Sequence, residues 1–158
     1  MDDFYLDVIV DFSIGSGCGS LELFVLSGMV VCVIWHYDTD EYGEGGWVYE
    51  VDGAHDFNND GIRDILAASG DDGSNSGPRR VQLFNGMTGS KIWEHAFYSS
   101  MTAVISLNDI TGDSIPDVVC ASSPDYTDGN IYVLDGSTGY ILSEIDSNSM
   151  AVFIIFII

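Results

Sequence analysis

VQLFNGMTGSKIW, residues 81–93, is the stretch from which the fold can be read, because the chain contains it three times. Laid over LFVLSGMVVCVIW (23–35) without a gap, it places Phe84 on Leu26, Asn85 on Ser27, Gly86 on Gly28, Met87 on Met29 and Ile92-Trp93 on Ile34-Trp35. Laid over IYVLDGSTGYILS (131–143), it places Asn85-Gly86 on Asp135-Gly136, Thr88-Gly89 on Thr138-Gly139 and Ile92 on Leu142, with Ser143 where the other copies have Trp. Asn-Gly or Asp-Gly between two apolar runs is a hairpin signal, since these residues accept the backbone angles of a tight turn. Each copy is therefore expected to be two antiparallel strands.

A second element repeats in step with the first. DFNNDGIRDILAAS (56–69) aligns with DITGDSIPDVVCAS (109–122), and Asp3 with Asp7-Val8-Ile9-Val10 matches the back half of the same pattern. The intervals are 57 and 53 residues for this element and 58 and 50 for the hairpin. A period of about this length marks an architecture of stacked units. The third unit reads as four strands, near 101–107, 117–122, 130–135 and 140–145, with the acidic loop joining the first two. Repeated four-stranded antiparallel units are the pattern of β-propeller blades, and the expected fold class is all-β. The expected repeats are 1–46 (lacking its first strand), 47–98 and 99–146, with 147–158 as an extra first strand. Those twelve strands make three blades, too few to close a ring, so a partial propeller or an oligomer-forming fragment is expected. Exposed strand edges imply self-association.

Composition agrees. The chain has 158 residues, 46% of them hydrophobic, with 18 Gly and 3 Pro, and no apolar periodicity long enough for a helix. Its 25 acids face 4 Lys and Arg, for a formal net charge of -21. That balance argues against nucleic acid, whose phosphates must be met by cations, and against anionic membrane surfaces. Nineteen of the acids are Asp, a residue of turns and metal loops, so cations are the natural partner. Surface acid that maintains solubility in high salt is the rival account. The apolar end MAVFIIFII is too short to span a bilayer, so no membrane insertion is expected. MDDFYLDVIV lacks the basic start of a secretion signal.

The acidic loop offers hard oxygens at alternate positions, as calcium requires: Asp56, Asn58, Asp60, the Ile62 carbonyl and Asp64, with Gly61 permitting the sharp turn. In the second loop the same places hold Asp109, Thr111, Asp113, the Ile115 carbonyl and Asp117, with Ser114 in place of the glycine. Lower affinity is expected there. The fragment at Asp3 and Asp7 lacks half the set and is expected to hold no ion stably. A metal-free Asx-rich turn is the plainer alternative. A helix–loop–helix calcium site is disfavoured because its twelfth position is Ala67.

The pattern Asp-x-Asn-x-Asp-Gly-x-x-Asp before a buried strand resembles the FG-GAP or VCBS repeat of integrin α-type propellers, while the Asn-Gly-x-Thr-Gly hairpins resemble those of quinoprotein-like propellers. The resemblance covers nearly the whole chain. It implies a calcium-binding β-propeller module of a secreted or cell-surface protein, acting in adhesion or in binding an unknown protein or carbohydrate ligand. The alternative it leaves open is a fragment of a calcium-dependent propeller enzyme, such as a polysaccharide lyase or hydrolase. The residues themselves show no catalytic set: His36, His55 and His95 are scattered and no Gly-x-Ser-x-Gly occurs. No residues converge for a quinone cofactor. Trp35 and Trp93, at one repeat position, are expected between blades, and Trp47, without a counterpart, as an exposed aromatic. Arg79 and Arg80 are expected to answer local acid. Cys32 and Cys120, in apolar runs, are expected as buried free thiols; a Cys18–Cys32 bridge stays open.

Overall fold

The computed structural model describes residues 6–13, 21–27, 32–39, 46–71, 77–122 and 129–146. Among these, all regular elements but a single 3₁₀ residue at Thr39 are β-strands. The first sheet has three, β1 (Leu6–Ser13), β2 (Leu21–Ser27) and β3 (Cys32–Tyr37). The second has β4 (Gly46–Asp52), β5 (Ile65–Asp71), β6 (Arg80–Phe84) and β7 (Lys91–Ala96). The third has β8 (Met101–Ser106), β9 (Val118–Ser122), β10 (Asn130–Leu134) and β11 (Ile141–Asp146). Each sheet is an open antiparallel meander in chain order, and none closes on itself. The fold is all-β in blade-like units. The expected extra strand at 147–158 and the loop fragment at Asp3 lie outside the described residues.

Register shows how deep the repeat runs. The last hairpin of every sheet shifts register at one equivalent place: between Val25 and Leu26, Leu83 and Phe84, and Val133 and Leu134. The first pair shifts between Val48 and Glu50 in the second sheet and between Met101 and Ala103 in the third. Bulges bend and twist strands, so recurrent bulges give successive sheets the same curvature and let them stack.

Alternation along the strands supplies two apolar layers. In β5, Ile65 and Ala67 face the first sheet, packing with Leu23, Val25, Trp35, Tyr37, Val48 and Phe84. Leu66 and Ala68 face the third, packing with Val81, Leu83 and Trp93 against Met101, Val104, Val118, Cys120 and Leu134. Covered on both faces, β5 is buried along nearly its whole length. Each fully buried Leu or Val side chain contributes about 1.5–3 kcal/mol. β11 is different: every residue is exposed, including Ile141, Leu142 and Ile145.

The first strands of the second and third sheets meet by side-chain capping. Ordinary edge strands leave N–H groups unpaired. Here the N–H of Val104 donates to Glu50 Oε2 at 3.2 Å and that of Ser106 to Asp52 Oδ2 at 2.6 Å. Two acids of β4 thus satisfy the edge of β8, and Ser106 adds its hydroxyl, bonded to Asp52 and to His55 Nδ1. Burial raises the Glu50 carboxyl above the ordinary range, the Val104 N–H pulling it back.

Candidate metal centre

Both acidic loops leave the first strand of a sheet and return as its second. In the first, nearly every side-chain oxygen faces a backbone N–H. Asp56 Oδ2 accepts from Gly61 at 2.8 Å, Asn58 Oδ1 from Asp60 at 2.9 Å and Asp60 Oδ1 from Ile62 at 2.8 Å. Asp64 is fully buried and holds the loop shut: Oδ2 accepts from Phe57 N–H at 2.9 Å and Oδ1 from Gly86 N–H at 3.1 Å. The second loop repeats the plan. Asp109 accepts from Gly112 at 2.6 Å and Ser114 at 2.8 Å, Asp113 from Ile115 at 2.9 Å. Asp117, also buried, accepts from Ile110 at 2.8 Å and Gly136 at 3.0 Å.

The backbone explains a sequence difference. Left-handed residues occur at Asn59 (φ 58°) and Gly61 (φ 88°) in the first loop, and at Gly112 (φ 90°) and Ser114 (φ 71°) in the second. These are the same two loop positions. Glycine simply occupies the other one, so loss of glycine at 114 does not change the path; it loads strain onto Ser114.

The structure therefore brings Asp56, Asn58, Asp60, Ile62 and Asp64 together in one loop and Asp109, Thr111, Asp113, Ile115 and Asp117 in the other. Among the described residues, no three His, Cys, Asp or Glu side chains are gathered in a metal-holding group. The donor chemistry nonetheless fits a hard divalent cation, being all oxygen, and an ionised carboxylate keeps lone pairs beyond one N–H bond. Gly61 opens onto free space, with nothing within 4 Å of where a β-carbon would stand. Electrostatics differ within the loop. Burial raises the Asp64 carboxyl, opposed by the N–H groups of Phe57 and Gly86, with the charges of Asp60 and Asp56 raising it further. Asp60 and Asp109 lie below the ordinary range, held there first by the N–H groups of Ile62 and Gly112 respectively.

Residues outside the expected set complete the site. Asn85 Nδ2 donates to Asp60 Oδ2 at 2.7 Å while its Oδ1 accepts from Thr88 N–H at 2.9 Å, so the hairpin turn orients the loop acid. Asn85 was visible as the repeat counterpart of Asp135, and its turn role hid this second one, which Asp135 does not share.

The remaining aromatic and basic residues fall as their chemistry dictates. Trp35 and Trp93 are buried between sheets, and Trp47 is exposed with its ring centroid 5.9 Å from that of Tyr49. Arg79 pairs with Asp71 at 2.7 Å and Arg80 with Glu94 at 3.2 Å. Cys120 is a buried free thiol, which burial makes hard to ionise. Cys32 corrects the expectation: it is free but exposed, because it opens β3, the outermost strand of its sheet. Cys18 lies outside the described residues.

Comparison with known proteins places the loops. Residues 56–120 match the FG-GAP-like repeat family. No curated protein matches the chain. Among solved structures, BBS1N in complex with ARL6DN, soaked with mercury, is similar at 11% identity and TM-score 0.37, over 80% of this chain and 47% of that one. The lead-soaked form of that complex is similar at 12% identity and TM-score 0.35, over 80% and 44%. The chain thus spans less than half the length of these solved structures. From the first acidic loop to the strand that follows the second, the chain is similar to an FG-GAP-like repeat.

Proposed function

We propose that this chain is a calcium-binding β-propeller module of a secreted or cell-surface protein, binding a protein or carbohydrate ligand, as in adhesion, without catalysis of its own. The observation that carries the reading is the pair of superimposable loops. Both keep three aspartates at the same positions and the same two left-handed turns, although the residues between them differ. The backbone N–H bonds alone occupy only part of the acceptor capacity of these carboxylates, and three acids brought into one loop repel one another unless a cation lies among them.

Calcium would be held by Asp56, Asn58, Asp60, the Ile62 carbonyl and Asp64, and more weakly by the set from Asp109 to Asp117. It would supply positive charge where burial and neighbouring acids work against ionised Asp64. A ligand that binds only the native state stabilises it by mass action. The exposed apolar residues of β11 support self-association or contact with further blades.

Thermal melts in calcium and in chelator test this. Calcium at a hundredfold above its dissociation constant is expected to raise Tm by roughly 5–10 °C. Asp60→Ala is expected to remove most of that rise. A melt indifferent to chelator would refute the calcium reading.

A further inference from the structure

Trp35 and Trp93 do more than fill the space between sheets. The Trp35 Nε1–H donates to the carbonyl of Gly86 at 2.8 Å, and the Trp93 Nε1–H to the carbonyl of Gly136 at 2.7 Å. Gly86 and Gly136 open the hairpin turns of the following sheets. A β-carbon at Gly89 would stand 2.7 Å from the Trp35 ring, and one at Gly139 would stand 2.7 Å from the Trp93 ring. Each indole therefore lies flush on a turn that only glycine leaves open, and that turn belongs to the next sheet.

The same two glycines are gripped from the other side. Gly86 N–H donates to Asp64 Oδ1 at 3.1 Å, and Gly136 N–H to Asp117 Oδ1 at 3.0 Å. All four groups are buried. One glycine thus holds two bonds through the peptide planes on either side of its Cα: one to the acidic loop of its own sheet, one to the tryptophan of the sheet before. Its orientation is held by those two partners together with the hairpin turn that contains it. The carboxylate and the indole thus meet the same glycine from opposite sides.

We infer that each acidic loop and the tryptophan of the preceding sheet form one coupled unit, relayed through Gly86 or Gly136, so that the state of a loop is transmitted backwards to the neighbouring blade. Coupling of this kind is reciprocal: whatever tightens the loop tightens the clasp, and loss of the clasp loosens the loop. The relay itself needs no cation. Its use for sensing one rests on the calcium reading above.

The inference makes a crosswise prediction, because the affected tryptophan lies in a different sheet from the altered acid. The readout is the indole 1H–15N resonance of Trp35, Trp93 and the control Trp47, recorded in calcium-free buffer. Asp117→Asn turns one acceptor oxygen into a donor facing backbone N–H groups, and is expected to shift Trp93 while leaving Trp35 and Trp47 in place. Asp64→Asn is expected to shift Trp35 above all. Should either variant fail to fold, Trp93→Phe keeps an aromatic ring but loses the indole N–H, and is expected to shift the Gly136 amide. Folded variants whose paired resonances move no more than Trp47 would overturn the relay. A calcium titration separates the two claims: saturable heat accompanied by Trp35 and Trp93 shifts supports transmission, and heat without those shifts contradicts it. Absence of heat refutes the calcium reading alone, since the variants still decide the relay.

Discussion

The loops at 56–64 and 109–117 share a backbone path, yet they sit in different surroundings. Phe57 in the first is 4% exposed and joins the apolar layer between the second and third sheets, touching the position of Gly136. Its counterpart Ile110 is 61% exposed, because no described sheet follows the third. The first loop is thus clamped from both directions, by Trp35 behind and by the third sheet ahead. The second has its clasp to Trp93 and the contact of Ile115 with the apolar layer behind it, and nothing described ahead. The same local chemistry therefore yields a loop clamped by packing on both sides in one blade and, in the next, a loop held by its hydrogen bonds and by Ile115 packed on one side.

The sharpest way to break this comparison is to truncate the two counterparts. Phe57→Ala is expected to cost about 3–5 kcal/mol, the range for emptying a packed aromatic site, and Ile110→Ala no more than about 0.5 kcal/mol. Denaturant unfolding of both variants measures the difference, and equal losses would mean that the environments are alike after all.

A smaller contrast lies in the left-handed positions. Gly61→Ser puts a side chain where φ is 88° but where space is open, so only backbone strain should count, about 1 kcal/mol. Ser114→Gly is expected to relieve strain of that size, offset in part by the greater freedom glycine gives the unfolded chain. Opposite signs sharpen the view that one path serves both loops. Destabilisation by both changes would show that Ser114 is held by its contacts.

The smallest effect concerns pH. Asp135 accepts from the hydroxyl of Ser137 at 2.6 Å and from Thr138, and these bonds hold its carboxyl below the ordinary range. A depressed native value means stability that is complete above the ordinary aspartate value of about 3.9 and is lost as pH falls through the native one. Its counterpart Asn85 does not titrate. Asp135→Asn is therefore expected to flatten the acid limb of the stability curve below about pH 4, and Asn85→Asp to steepen it.

How much of this was legible in the chain depends on the range of the interaction. The blades were legible because turn residues and alternation are local, and because three copies of Gly-x-Thr-Gly or its relatives reinforce one another. The loop positions were legible for the same reason. The partner of Trp35 was not: it is a carbonyl 51 residues away, and a backbone acceptor leaves no mark in composition. The roles of Glu50 and Asp52 were hidden likewise, since edge N–H groups exist only once two sheets are side by side. Cys32 looked buried because its run is apolar, although an outer strand is covered on fewer sides than an inner one. Phe57 and Ile110 are both apolar residues after an aspartate, and only the presence or absence of a following sheet tells them apart.

Calorimetric titration with calcium tests the central claim most directly, run on the native chain and on Asp60→Ala and Asp113→Ala. The account predicts two saturable steps, the tighter lost in Asp60→Ala and the weaker in Asp113→Ala. No saturable heat, or binding unchanged in both variants, would contradict it and leave two acidic turns whose aspartates serve the backbone alone.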